Sequence, residues 1–165
     1  MKKNKFITIN FRQTQKLGEL LAKEILIEVG PRLICLSGDL GSGKTTFAQG
    51  FLKGLGVKGP HTSPTFVVIK HYKRRLTCDK KHLTKRKNKS NVKCQMSNVY
   101  HIDAYRVKAK DILNLGWKEI IGGDNIVLVE WADRIKKIIP NPPVGGALWI
   151  KFEWVDKNKR RIIFK

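Results

Sequence analysis

Residues 38–45 read Gly-Asp-Leu-Gly-Ser-Gly-Lys-Thr, three glycines and a lysine at fixed spacing between an apolar stretch and a segment with helical periodicity. Glycines at 38, 41 and 43 admit backbone conformations that side chains exclude, so successive N–H groups can turn toward one point. Such a ring of amides ahead of a helix forms an anion cradle, and the helix adds the positive end of its dipole. The flanking sequence supplies the setting. Leu33-Ile34-Cys35-Leu36 is a short apolar run suited to a strand buried on both faces, while Phe47, Phe51, Leu52 and Leu55 recur at helical spacing until Gly54 and Gly56 stop the helix. Strand, glycine-rich loop and helix in this order predict an α/β chain with a phosphate-binding loop at the carboxyl edge of its sheet.

The chemistry expected of that loop is that of a triphosphate. Backbone amides enclose the phosphates, Lys44 reaches the β and γ groups as a point charge, and the Thr45 hydroxyl in the first helical turn is placed for Mg²⁺.

At 165 residues the chain suits one α/β domain spanning residues 1–165. No apolar stretch approaches bilayer length, the lysine-rich start runs into an alternating Phe6–Asn10 segment too short for a signal sequence, and the odd cysteine count lacks a CxxC pair. These features lead to the expectation of a cytoplasmic protein with no membrane association. The net charge is +21, and ten lysines and arginines against one acid, Asp79, between Lys73 and Lys93 hold nearly half of it. That segment has few apolar residues and no sustained period, so it reads as an exposed basic insertion at about residues 73–97 between two strands. A solvated loop and an arm that touches RNA are both open to it. Cys78, His82 and Cys94 within it have irregular spacing and no fourth partner for zinc.

Alternation predicts a strand over residues 5–11. Leu17, Leu20, Leu21 and Ile25 then predict one face of a helix from Gln13 to Val29 that Gly30-Pro31 ends. Strands are expected at Thr65–Ile69, Val99–Asp103 and Ile126–Val129, and a helix from Asp111 to Ile121. Ala147–Val155 and Arg160–Phe164 alternate around Asp156-Lys157-Asn158-Lys159 as an antiparallel hairpin.

Two acids end strands. Glu130 follows the buried run Ile126–Val129, the position from which phosphate-loop proteins direct a carboxylate toward Mg²⁺, directly or through water. Asp103 closes His101-Ile102-Asp103 and can orient water or complete the metal's outer shell, with Arg106 as ion-pair partner. Thr62-Ser63-Pro64-Thr65 is a hydroxyl-rich loop of the kind that senses a γ-phosphate.

Five blocks in order, GDLGSGKTTF, SPTF at Ser63–Phe66, YHIDAYR at Tyr100–Arg106, LGWKEI at Leu115–Ile120 and LVEWADR at Leu128–Arg134, resemble the TsaE family. The basic insertion departs from it, since a short hairpin connection is usual there. The resemblance implies a P-loop NTPase fold, with a mostly parallel central sheet, helices on both faces and the C-terminal hairpin. It implies a bacterial ATPase required for threonylcarbamoyladenosine modification of ANN-decoding tRNAs, docking on the TsaD and TsaB subunits, with tRNA contacted indirectly or through the insertion. Carried onto this chain, Gly38, Asp39, Leu40, Gly41, Ser42, Gly43, Lys44, Thr45 and Thr46 would hold ATP, and Thr45 and Glu130 the Mg²⁺. Lys44, Asp103 and Glu130 would carry the chemistry. Phe11, in the segment before the first helix, would lie by the adenine, and Arg160, with Arg161 as rival, would reach the nucleotide from the hairpin. Trp131 would pack near that pocket or serve as a core aromatic. A small phosphate-loop kinase and an RNA-binding module with structural nucleotide are the alternative readings. Neither an arginine-rich lid nor an RRM, KH or zinc-knuckle signature supports them.

Overall fold

The computed structural model describes residues 4–27, 32–75, 96–140 and 146–165. In chain order the elements are β1 (Lys5–Thr8), α1 (Phe11–Ile27), β2 (Leu33–Gly38), α2 (Lys44–Gly54), β3 (Ile69–Arg75), β4 (Met96–Asp103), α3 (Ala109–Asn114), α4 (Trp117–Ile121) and β5 (Ile126–Glu130). A 3₁₀ segment (Ala132–Ile138), β6 (Leu148–Trp154) and β7 (Arg160–Phe164) complete the series. The strands form one seven-stranded sheet in the order β1-β7-β6-β2-β5-β4-β3. Its four central strands, β6, β2, β5 and β4, run parallel, and β1, β7 and β3 pair antiparallel at the two flanks. The expected parallel sheet is therefore its centre, and the sheet as a whole is mixed.

Alternation along the buried strands builds a core on each face. Ile34, Leu36, Ile126, Leu128, Ile150 and Phe152 pack with Phe47, Phe51 and Leu52 beneath α1 and α2. Leu33, Cys35, Val127 and Val129 pack with Ile112, Trp117, Ile120 and Ile135 on the other side, under α3, α4 and the 3₁₀ segment.

The first helix differs from its predicted form in bounds and in orientation. Asn10 Oδ1 accepts from the Gln13 N–H at 2.9 Å and Gln13 Oε1 from the Ile9 N–H at 3.0 Å, a reciprocal N-terminal cap that starts α1 two residues before Gln13 and ends β1 at Thr8. Phe11 is thus the first helical residue, not part of a preceding segment. Of the predicted face, Ile25 is buried and Leu17 and Leu21 pack half-buried against the core, but Leu20 is 51% exposed and the stripe is centred on Thr14, Gly18, Ala22 and Ile25, a small rotation from the leucine face. Close approach of α2 explains the rotation. A Cβ on Gly50 would overlap the Gln15 carbonyl oxygen, one on Gly18 that of Phe47, and one on Gly54 would stand 2.6 Å from that of Glu19. The two helices touch backbone to backbone, so the small residues must face inward.

Three further expectations change. Residues 65–67 form a turn and β3 begins at Ile69, because Pro64 O accepts from the Val67 and Val68 amides at 2.9 and 2.7 Å and closes the chain on itself. The helix expected over residues 111–121 is two short helices, broken where Gly116 takes φ 81°. Residues 76–95 of the basic insertion, with Cys78, His82 and Cys94, lie outside the described residues, as does the Gly30-Pro31 stop; residues 73–75 and 96–97 continue β3 and β4. Among the described residues no helix is long and apolar enough to cross a membrane.

Gly50→Ala should lower stability by about 1–3 kcal/mol, the range of overpacking, because backbone must move to admit the methyl group; a urea titration reads it. Burial pushes the Cys35 thiol up to about 12. In a Cys78→Ser, Cys94→Ser background, Cys35 should therefore resist a thiol reagent at about pH 8 until denaturant is added, as mass spectrometry would record.

Candidate functional site

Parallel register brings the site together. Glu130 on β5 pairs with Leu36 of β2 on one side and with Asp103 of β4 on the other, two residues short of Gly38, where β2 enters the glycine-rich loop. The loop turns through left-handed backbone at Gly41 (φ 72°) and Gly43 (φ 99°) and passes into α2 at Lys44. Gly38 (φ 136°) is held by a close approach as well: a Cβ there would strike the Phe152 carbonyl of β6. Leu40 points outward, Ser42 is buried and its N–H donates to Asp39 O at 3.2 Å, and Thr46 is half-buried in the first turn of α2.

Lys44 is folded onto its own loop. Its ammonium donates to Gly38 O at 2.7 Å, Asp39 O at 2.8 Å and Ser42 Oγ at 3.4 Å, and lies 3.7 Å from the centre of the Trp131 ring. Burial lowers its pKa, opposed by the Glu130, Asp133, Asp39 and Asp103 carboxylates. Trp131 reaches this place because it leaves β5 with φ 59°, a conformation unfavourable for an aromatic residue, and its ring packs tilted by 43° against Tyr105, centroids 4.9 Å apart. Its indole is thus a wall of the site.

Glu130 is buried, yet both carboxylate oxygens are bonded. Oε2 accepts from Thr45 Oγ1 at 2.7 Å and Oε1 faces His101 Nε2 at 2.9 Å. The Thr45 hydroxyl and the Glu130 carboxylate form a pair of hard oxygen donors, the type magnesium takes. No group of three or more His, Cys, Asp or Glu side chains able to hold a metal occurs among the described residues.

Asp103 is tied to the hydroxyl loop rather than to an arginine. Its Oδ2 accepts from Ser63 Oγ at 2.9 Å and Thr65 Oγ1 at 2.6 Å, and Oδ1 from the Tyr105 amide at 2.9 Å. Arg106, the expected partner, lies 5.0 Å over the Phe66 ring instead, and Phe66 is 84% exposed. The loop and Asp103 form one clasp. Val68, at its end, has φ 63°; with Trp131 it is one of two non-glycine residues of positive φ among the described residues, and both border this site.

The remaining candidates separate. Arg160 Nε donates to Gly41 O at 3.1 Å, whereas Arg161 turns away to Glu153 Oε2 at 3.1 Å. A Cβ on Gly43 would stand 3.6 Å from Thr14 Cγ2 and 3.7 Å from Arg160 Cγ, so α1 and β7 flank the loop. Phe11 is 62% exposed, with the Arg12 guanidinium 5.8 Å over its ring. A separate groove of about 510 Å³, lined by residues that include Arg12, Lys16, Gln49, Lys53 and Thr62, shares no residue with the loop. His101 carries no motif signal of its own, although strand alternation puts it on the same face as Asp103. Thr14 has no sequence signal either, because only the helix crossing places it beside the loop.

A family model described as threonylcarbamoyl adenosine biosynthesis protein TsaE matches residues 8–162. The tRNA threonylcarbamoyladenosine biosynthesis protein TsaE of Bacillus subtilis is 34% identical over 164 residues, 99% of this chain and 86% of its own length. The protein of that name from Aquifex aeolicus is 34% identical over 151 residues, 90% of this chain and 86% of its own. The crystal structure of Bacillus subtilis YdiB superposes with a TM-score of 0.67 at 29% identity, covering 99% of this chain and 84% of that one. With the phosphate loop, the two strand-ending acids and the hairpin arginine arranged on one sheet edge, and with the match running nearly end to end, the chain belongs to the TsaE family of threonylcarbamoyl adenosine biosynthesis proteins.

Proposed function

We propose that the protein is a cytoplasmic ATP-binding and ATP-hydrolysing accessory subunit for threonylcarbamoyladenosine modification of ANN-decoding tRNAs, acting on the TsaD–TsaB transferase as a single P-loop domain. The 2.7 Å bond between Thr45 Oγ1 and Glu130 Oε2 carries this reading, because it joins the first turn after the phosphate loop to the acid of the neighbouring parallel strand.

The amides of Asp39 to Thr45 enclose the phosphates. Lys44 exchanges the Gly38 and Asp39 carbonyls, which are neutral acceptors, for anionic phosphate oxygens, and gains charge-assisted bonds by the exchange. Thr45 and Glu130 would hold Mg²⁺, which when bound neutralises charge on the β and γ phosphates. Glu130 and Asp103 orient the attacking water, and Arg160 lies across the loop from them against Gly41.

The Ser63 and Thr65 clasp on Asp103 provides the switch. Hydroxyls that bond either Asp103 or a γ-phosphate give the loop two sets of partners, and the state of the nucleotide selects between them. Phe66 and Val67 at its exposed tip carry that choice to the docking face for TsaD and TsaB. Hydrolysis is then the timing step of the complex, slow in the isolated subunit.

Lys44→Ala and Glu130→Ala should each lower the ATP turnover rate by about a hundredfold or more while circular dichroism stays native. Wild-type turnover in either variant would remove the site assignment. Phosphate release from Mg-ATP should rise when TsaB, TsaD and tRNA are added together. Phosphate on a small acceptor would instead indicate a kinase, and salt-sensitive RNA binding without turnover an RNA-binding module.

A further inference from the structure

Both carboxylate oxygens of Glu130 are bonded, but the imidazole that bonds one of them is itself only half satisfied among the described residues. His101 is wholly buried on β4 with Nε2 2.9 Å from Glu130 Oε1, while its Nδ1, equally buried, has no hydrogen-bond partner among the described residues. A carboxylate oxygen accepts, so Nε2 donates. The imidazole therefore makes a single directed bond, and that bond goes to the oxygen that Thr45 leaves free.

The geometry points to His101 as the positioning residue of the metal-holding carboxylate, an inference that rests on the reading of Thr45 and Glu130 given above. A glutamate has three rotatable side-chain bonds, and strand register alone places its Cα, not its oxygens. His101 fixes Oε1, and with Oε1 fixed the remaining oxygen is aimed at the Thr45 hydroxyl. The imidazole is itself constrained: β4 pairs with β3 on one side, where His101 is opposite Lys70, and with β5 on the other, where it is opposite Leu128. A histidine kept only to fill space would be expected to satisfy both nitrogens or to be replaced by an apolar side chain. This one leaves a nitrogen bare to hold a carboxylate, which is how partners of metal ligands orient them.

The test compares three substitutions. His101→Leu removes the donor, His101→Gln keeps an N–H near the Nε2 position, and His101→Asn keeps one near Nδ1 instead. Calorimetry would measure ADP affinity with and without Mg²⁺, and electron paramagnetic resonance would follow Mn²⁺ taken up with ADP. His101→Leu should bind metal-free ADP like the wild type and need about tenfold more Mg²⁺ or Mn²⁺ for the same occupancy, with His101→Gln close to wild type and His101→Asn resembling His101→Leu. Should His101→Leu fail to fold, the contrast between Gln and Asn decides alone. Equal metal dependence in Gln and Asn, or unchanged metal dependence in His101→Leu, overturns the inference while leaving the site intact. A wild-type protein whose ADP affinity ignores both metals overturns the reading of Thr45 and Glu130 and this inference with it.

Discussion

The structure depends on the parallel register of β2, β5 and β4. Because Leu36, Glu130 and Asp103 fall in one row across three strands, both acids emerge beside the start of the glycine-rich loop. A slip of one residue would turn Glu130 to the opposite face of the sheet, away from Thr45. The apolar runs on both sides of these strands specify the register, since Leu33 to Leu36 and Ile126 to Val129 must each serve two cores at once. Packing and chemistry are therefore set by the same residues.

Buried charge is the second theme. Lys44, Asp103 and Glu130 are almost wholly enclosed, and each has its polar atoms satisfied locally: the lysine by loop carbonyls and an indole face, Asp103 by two hydroxyls and an amide, Glu130 by a hydroxyl and an imidazole. Most of these partners are neutral, and neutral partners can be exchanged for phosphate and metal at modest loss. Among the described residues, the two non-glycine positions of positive φ, Val68 and Trp131, mark where backbone strain is accepted to bring the clasp and the indole into place.

Much of this was legible in the sequence because the decisive features are local. The phosphate loop, its flanking strand and helix, the strand-ending acids and the hairpin each have a short-range signature. The errors arose where tertiary contact decides. The inward face of α1 follows from Gly18, Gly50 and Gly54 meeting another backbone, which a hydrophobic period cannot register. The start of α1 carried a local signal, the Asn10 and Gln13 cap, that the apolar pattern outweighed. Asp103 found hydroxyls rather than Arg106 because the turn at residues 65–67 folds Ser63 and Thr65 onto it, a consequence of chain path and not of spacing.

In the proposed switch, the loop around Ser63 and Thr65 distinguishes a triphosphate from a diphosphate. Amide hydrogen exchange at Val67 and Val68, whose N–H groups bond to Pro64 O, reads the loop directly. With Mg²⁺ and a non-hydrolysable ATP analogue, these amides should exchange at a rate clearly different from that with Mg²⁺ and ADP, and Thr65→Ala should abolish the difference. The same rate with both nucleotides, at saturating occupancy, would contradict a phosphate-dependent switch.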